Sequence, residues 1–399
     1  MNISPSSFGI NLIGDFSGGI GLGITTRAIA TLLQSKGVPF SLFEIPYAWG
    51  QPQYDQRFKE EQVATIGELP YPVNLYVLPL GFYQTFFDTH PEFLARKRLH
   101  IANFWWETTR FPASWIEKLG RFDAILSMSH FITEVCRNSL PLTSTLYGEY
   151  PLDLPPVRLE NRSAFGLAGN ALVFVASLDP NADPARKNPA TLISAFRAAF
   201  PAVDQDVRLV IRINNATTPL GQQVVAHMQQ LAQGDGRISF LLEPMRYDEI
   251  LSLYACADVY LSFHRGEGLG LGMLESMALG KAVIATGWSG NLSFMNHSNS
   301  ALLRCRLIPV SGNFTYFRPE VIGPDARWAE PVLEDAVAWM RQLRHNPALR
   351  HELGARAKVS ALAYLKRANE APWITELADL WRSQGYLPRV VEKLSFPGE

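Results

Sequence analysis

The chain has 399 residues, enough for two or three domains at roughly 100–200 residues each. Hydrophobic residues make up 47% and charged residues 18%, the latter low against the roughly 25% of ordinary soluble chains, which excludes a disordered polymer. Lys plus Arg number 36 and Asp plus Glu 37, a formal net charge of -1, which excludes a generally basic nucleic-acid coat and an acidic tail but leaves room for a local basic pocket.

The first apolar run is Phe8–Ile13, followed by the glycine-rich turn Gly14-Asp15-Phe16-Ser17-Gly18-Gly19-Ile20-Gly21. Apolar residues Ile24, Ala28, Leu32 and Leu33 then carry helical spacing to a stop at Gly37, and Val38–Ile45 reads as a second strand. Strand, glycine loop, helix, strand is the opening of a parallel α/β sheet. Further strands are expected at Asn74–Leu80, Leu99–Phe104 and Ala124–Met128, with a helix at Ile132–Ser139. Three prolines and several charges in residues 151–162 read as a linker. The alternation restarts with strands at Ala171–Ser177, Val207–Ile213, Ile238–Leu242, Val259–Phe263 and Ala282–Thr286. Helices are expected between them at Pro189–Phe200, Gly221–Ala232, Tyr247–Cys256 and Leu269–Leu279. This predicts a second parallel sheet with right-handed crossovers, whose site lies on the loops at the strand C-terminal ends. Helical spacing at Val332–His345, Ala348–Tyr364 and Pro372–Gln384 closes the chain. The domains are therefore expected at 1–160, 161–370 and 371–399, the last a helix packing back on the first.

Cys136, Cys256 and Cys305 are few and far apart, giving neither a disulfide framework nor a zinc spacing. A reducing compartment fits. Met1–Phe8 lacks a positive leader, and no apolar run reaches the roughly 18 residues that span a bilayer. A cytoplasmic protein is expected, in contact at most with the inner membrane face. The aromatic run Phe82–Phe87 could touch a membrane, with core packing the simpler role.

The most informative stretch is Ser262-Phe263-His264-Arg265-Gly266-Glu267-Gly268-Leu269-Gly270-Leu271-Gly272-Met273-Leu274-Glu275. A strand ends, a glycine turn follows, and a helix begins between two glutamates. Backbone N–H groups at Gly268, Leu269, Gly270 and Leu271 make an anion nest. Carboxylates accept from ribose or sugar hydroxyls. A diphosphate between two hydroxyl-bearing rings, a nucleotide diphosphate sugar, satisfies all of these groups. Asp183-Pro184-Ala185-Arg186-Lys187-Asn188-Pro189, between a strand and a helix, adds two adjacent cations in a loop at the same end of the sheet.

These segments resemble the retaining glycosyltransferases of glycosyltransferase family 4. Glu267 and Glu275 match that family's Glu-x7-Glu motif, inside the longer run from His264 to Thr286, with Ser289-Gly290-Asn291 as its ending and Arg186-Lys187-Asn188-Pro189 as its basic loop. The resemblance is strong over residues 165–300 and weak before. It implies the α/β GT-B architecture: two Rossmann-like parallel-sheet domains facing a central cleft, with C-terminal helices. It implies that Glu275 binds the donor ribose and that Glu267 faces the donor sugar. Amides from Gly268 to Leu271, with Lys187 and Arg186, would hold the diphosphate, and Gly18 and Gly19 would approach donor and acceptor. The implied reaction moves a hexose, mannose by leaning only, to a glycan or lipid-linked acceptor in polysaccharide assembly. Configuration is retained, there is no metal, and the nucleotide sugar is co-substrate rather than cofactor.

The chain departs from its relatives in two places. Where many carry a Gly-Arg pair after the first strand of the second domain, it has Ala176-Ser177-Leu178-Asp179. Where many carry a histidine in the first domain, it has Asn103-Phe104-Trp105-Trp106-Glu107-Thr108, with His100 earlier and His130 later. Trp105 and Trp106 could stack on a sugar face or fill the interdomain core, and Glu107, whose carboxylate could accept sugar hydroxyl protons, is kept as a catalytic candidate beside Glu267 and Lys187. Two other readings stay open. One is an NAD-dependent oxidoreductase, with Glu44 ending the second strand, although Gly18-Gly19-Ile20-Gly21-Leu22-Gly23 does not fit Gly-x-Gly-x-x-Gly. The other is a non-catalytic nucleotide-sugar or glycan binding protein on the same fold.

Overall fold

The computed structural model describes residues 8–18, 21–45, 57–93, 98–157, 161–167, 169–312 and 314–383. The chain forms two compact units: the described parts of Met1–Trp106, Phe111–Asp153 and Leu365–Glu399 make the first, and those of Glu107–Arg110 and Leu154–Tyr364 the second.

The first unit runs β1 (Ile10–Gly14), α1 (Gly21–Ser35), β2 (Phe40–Glu44), β3 (Val73–Val77), α2 (Tyr83–Thr89), β4 (Leu99–Asn103), α3 (Ala113–Leu119), β5 (Ala124–Ser127), α4 (His130–Ser139) and β6 (Ser144–Tyr147). Its six strands lie in the order β2-β1-β3-β4-β5-β6, all parallel. β1, β3, β4 and β5 are buried throughout, as expected of parallel strands covered on both faces. The aromatic run resolves as core: Tyr83, Phe86 and Phe87 are buried and pack edge-on against Tyr76 and Phe122.

The second unit runs β7 (Leu172–Leu178), α5 (Pro184–Lys187), α6 (Pro189–Ala199), β8 (Val207–Ile213), α7 (Pro219–Ala232), β9 (Ile238–Leu241), α8 (Tyr247–Cys256), β10 (Val259–Ser262), α9 (Leu271–Ala278), β11 (Ala282–Thr286) and β12 (Ala301–Leu303). It continues through β13 (Cys305–Pro309), α10 (Pro319–Ile322), β14 (Arg327–Pro331) and α11 (Leu333–His345). α12 (Pro347–Ala368) belongs mostly to this unit and ends in the first, where α13 (Pro372–Ser383) also lies. Gln384 lies outside the described residues.

The second sheet has six parallel strands in the order β12-β11-β10-β7-β8-β9. Phe174, Leu209, Ile211, Leu261 and Ile284 from the strands pack with Phe196 and Phe200 of α6 and Met340 and Leu343 of α11. The order places the site. From β7 the chain builds outward to β8 and β9, then returns to β10 on the other side of β7 and continues to β11 and β12. The reversal falls between β7 and β10, and loops leaving adjacent strands at such a point diverge and open a crevice at the strand C-terminal ends. The loops concerned carry Arg186 and Lys187 after β7 and Glu267 after β10. β13 and β14 form a separate antiparallel pair.

Candidate active site

The two loops meet through side chains. Lys187 Nζ donates to Glu267 Oε1 at 2.6 Å, and Arg186 Nη1 donates to the Gly266 carbonyl at 2.7 Å and approaches Glu267 Oε2 at 3.4 Å. The second carboxylate, Glu107, lies 3.8 Å from Arg186 Nη2. Arg186, Lys187, Glu267 and Glu107 thus form one cluster within the second unit, although Glu107 comes from far away in sequence. Gly266 permits this. A side chain there would run into the backbone carbonyl of Glu107.

Backbone geometry at the edges of the cluster is unusual. Asp183, Asn188 and Ser289 all have positive φ, at 61°, 52° and 78°. Such conformations cost of order 1–3 kcal/mol each and persist where surroundings over-determine them. They do so here. Asp183 is fully buried, accepting from the Ala185 and Phe314 amides at 2.8 and 3.0 Å. Asn188 donates to the Phe263 carbonyl at 3.0 Å. Ser289 Oγ accepts from the Glu267 amide at 2.9 Å. His264 is held neutral by burial, with Nε2 3.2 Å from the Trp288 carbonyl and Nδ1 3.0 Å from Ser262 Oγ. The carbonyl can only accept, so the ring proton sits on Nε2.

Charge follows from this packing. Burial alone would raise the Glu267 carboxyl, but Lys187 and Arg186 together outweigh it and hold the group at about 2. Glu107 is raised by burial, with Arg186 opposing and Glu267 adding to the rise. The cluster therefore contains one firmly ionised carboxylate and one inclined to keep a proton.

α9 begins at Leu271, later than its apolar pattern suggests, because Gly270 takes a left-handed φ of 94° as N-cap. Met273 and Leu274 N–H already bond the Gly270 carbonyl, whereas among the described residues the amides from Gly268 to Gly272 donate to no protein acceptor. These donors and the helix dipole favour an anion. Glu275, on the second turn, is only 3% exposed, and its Oε1 accepts from the Tyr247 hydroxyl at 2.7 Å. Burial, opposed by Tyr247 and Arg212, raises its carboxyl to about 7.

In the first unit, Gly18 follows β1, its amide bonded to Asp15 Oδ1 at 2.7 Å and its carbonyl to Arg27 Nη1 at 2.9 Å. Gly19 lies outside the described residues. Glu44 accepts from the Ser17 amide at 2.9 Å and from the Ser17 hydroxyl, so the ribose contact a dinucleotide enzyme would ask of it is taken by the protein itself. Trp106 is buried against Phe111, and Trp105 is half-buried beside Tyr150. His100 is buried, stacked on Tyr76 and 2.8 Å from its hydroxyl, and exposed His130 stacks on Tyr147. Among the described residues, no group of three His, Cys, Asp or Glu side chains converges as a metal set, and no helix is long and apolar enough to cross a membrane.

Sequence reasoning passed over Arg212, read only as part of a strand. A charge inside a strand of a parallel sheet covered on both faces was the signal available.

No curated protein matches the chain in a sequence comparison. Solved structures do. A sucrose-phosphate synthase from Thermosynechococcus elongatus superposes with a TM-score of 0.66 at 14% identity, covering 95% of this chain and 99% of that one. A glycosyltransferase from Rickettsia africae gives 0.62 at 12%, over 96% and 100% of the chains. HepE of Anabaena, in complex with UDP, gives 0.58 at 14%, over 94% and 100%. At such identities the likeness is one of fold, and the fold is GT-B. Residues 169–307, which carry the loops of the β7–β10 reversal, match the family model described as "Glycosyl transferases group 1".

Proposed function

We propose that this protein is a retaining, metal-independent glycosyltransferase that moves a hexose from a nucleoside diphosphate sugar to a glycan or lipid-linked acceptor. The observation that carries the reading is the cluster of Arg186, Lys187, Glu267 and Glu107 beside the unbonded amides of the α9 N-terminus, at the chain reversal of the sheet. The family match over residues 169–307, which holds Arg186, Lys187, Glu267 and the α9 N-terminus but not Glu107, and the UDP complex of a protein with this fold support it.

In this reading the donor diphosphate lies on the amides from Gly268 to Leu271. Arg186 and Lys187 supply the fixed positive potential that a departing diphosphate needs. The anomeric C–O bond breaks with its electron pair passing to phosphate oxygen. The acceptor hydroxyl bonds to the anomeric carbon from the same face, and its proton goes to the leaving phosphate. Glu267, kept ionised, accepts from donor-sugar hydroxyls, Glu107 from sugar hydroxyls nearby, and Glu275 from the ribose diol. A lipid-linked acceptor would bring the protein to the inner membrane face.

A thermal-shift screen across nucleoside diphosphates and their sugars, with and without chelator, tests the donor class, with mannose donors included first. Stabilisation by one base series, unchanged by chelator, is expected. Release of nucleoside diphosphate from the stabilising donor with mixed glycan acceptors then separates an enzyme from a binding protein. No stabilisation by any nucleoside diphosphate sinks the proposal.

A further inference from the structure

Arg212 stands near the C-terminal end of β8, on the strand next to β7. It is 8% exposed. Its Nη1 donates to Ser177 Oγ at 3.1 Å, and its Nη2 reaches Asn214 Oδ1 only at 3.5 Å. Its Nε is buried without a hydrogen-bond partner, and it pairs with no carboxylate among the described residues. The acid closest along this chain of contacts, Asp179, is taken by the Asn181 amide and the side-chain amides of Asn214 and Asn215. Other buried arginines here are satisfied: Arg237 bonds Asp235 and backbone carbonyls, and Arg186 bonds Gly266 and Glu267.

A buried guanidinium with an orphan donor is costly, and such groups are retained where a ligand completes them. The surroundings indicate which ligand. Arg212 acts electrostatically on Glu275 of α9 and on Tyr254 of α8, and Ser177, which it bonds, also faces Tyr254. The group therefore sits at the C-terminal edge of the sheet beside the carboxylate assigned to the ribose. The atoms it bonds, Ser177 Oγ and Asn214 Oδ1, are uncharged.

We infer that Arg212 is a further donor-binding residue, whose guanidinium takes an anionic phosphoryl oxygen of the nucleoside diphosphate next to Glu275. A planar fork with a free donor suits phosphate better than a neutral base or sugar. The inference rests on reading this crevice as a nucleoside diphosphate site.

The test is titration calorimetry on the full chain with UDP, GDP, ADP, CDP and TDP and the corresponding nucleosides, comparing wild type with Arg212→Gln and Arg212→Lys. Arg212→Gln should weaken the preferred diphosphate about 10-fold to 100-fold while changing the nucleoside less than about 3-fold, and Arg212→Lys should fall between. Should Arg212→Gln fail to fold, the Lys variant still decides, since it keeps the charge but loses the fork. Equal diphosphate affinity in wild type and variants overturns the inference. So does a loss that is the same for nucleoside and diphosphate, which would mark a structural or base-contacting role. Wild-type protein that binds none of these diphosphates overturns the donor-site reading and this inference with it.

Discussion

Lys187 and Glu267 are each other's closest ionic partner at 2.6 Å, so the substitution of one is felt by the other. Lys187→Ala leaves Glu267 with Arg186 alone, and the carboxyl should climb from about 2 toward its ordinary value. If Lys187 meets the leaving diphosphate, the same change should lower turnover by about 100-fold to 1,000-fold, the usual cost of one electrostatic donor. Turnover within about 3-fold of wild type would remove Lys187 from the chemistry. Glu275 has the opposite imbalance. Its carboxyl is raised to about 7 from 4.5, so between those values the folded protein holds a proton that the unfolded chain releases. Stability from this group is therefore greatest at low pH and falls as pH rises through that window, by about 3 kcal/mol at 1.36 kcal/mol per unit. Glu275→Gln removes the titration. Urea unfolding at pH 4.5 and pH 8 should show the variant gaining on wild type by up to about 3 kcal/mol between the two, while its nucleoside diphosphate affinity falls about 10-fold or more. A pH-independent difference in stability would contradict the burial argument. The pairing of a stability gain with a binding loss is the mark of a carboxylate kept for a ligand.

At the scale of elements, the α9 N-terminus depends on one backbone conformation. Gly270 has φ 94°, which an L side chain adopts only under strain, and it positions the amides that reach the proposed phosphate. Gly270→Ala should cost about 1–2 kcal/mol of stability by chemical denaturation and weaken nucleoside diphosphate binding in parallel. Retained affinity would mean that these amides do not hold the phosphate. The same glycine explains where sequence and structure part. The apolar pattern begins at Leu269, but a left-handed residue cannot continue a helix, so the regular turn starts at Leu271. Strands β7 to β11 of the second sheet were legible because each is an apolar run between glycine, proline or charge. β6 was not. Its sequence Ser-Thr-Leu-Tyr sits at the sheet edge with only Leu146 buried. β12 is three residues long, and β13 and β14 mix charge with apolar groups because they pair outside the main sheet. The site was legible where glycine, acid and base crowd together. The approach of Glu107 was not, because it depends on a backbone contact at Gly266 that spacing does not encode.

At the scale of the molecule, the two units have separate sheets and cores, so a ligand bound to one need not stabilise the other equally. Nucleoside diphosphate at about 100 times its dissociation constant should add about 2.7 kcal/mol to the unit that holds it. Hydrogen exchange locates that energy. Amides from 179 to 188 and from 264 to 275 should slow, since they border the β7–β10 reversal, and β8 around Arg212 should slow with them. Strands β4 to β6 of the first unit should exchange as before. The loop after β1 is the discriminating segment. If Gly18 meets the donor, residues 14–18 slow as well. If only the second unit responds, Gly18 leaves the donor site and the assignments at Lys187, Glu267 and Glu275 stand. Protection confined to the first unit would reverse the argument, because the amides proposed to hold the phosphate, the cations and the buried acid all lie in the second.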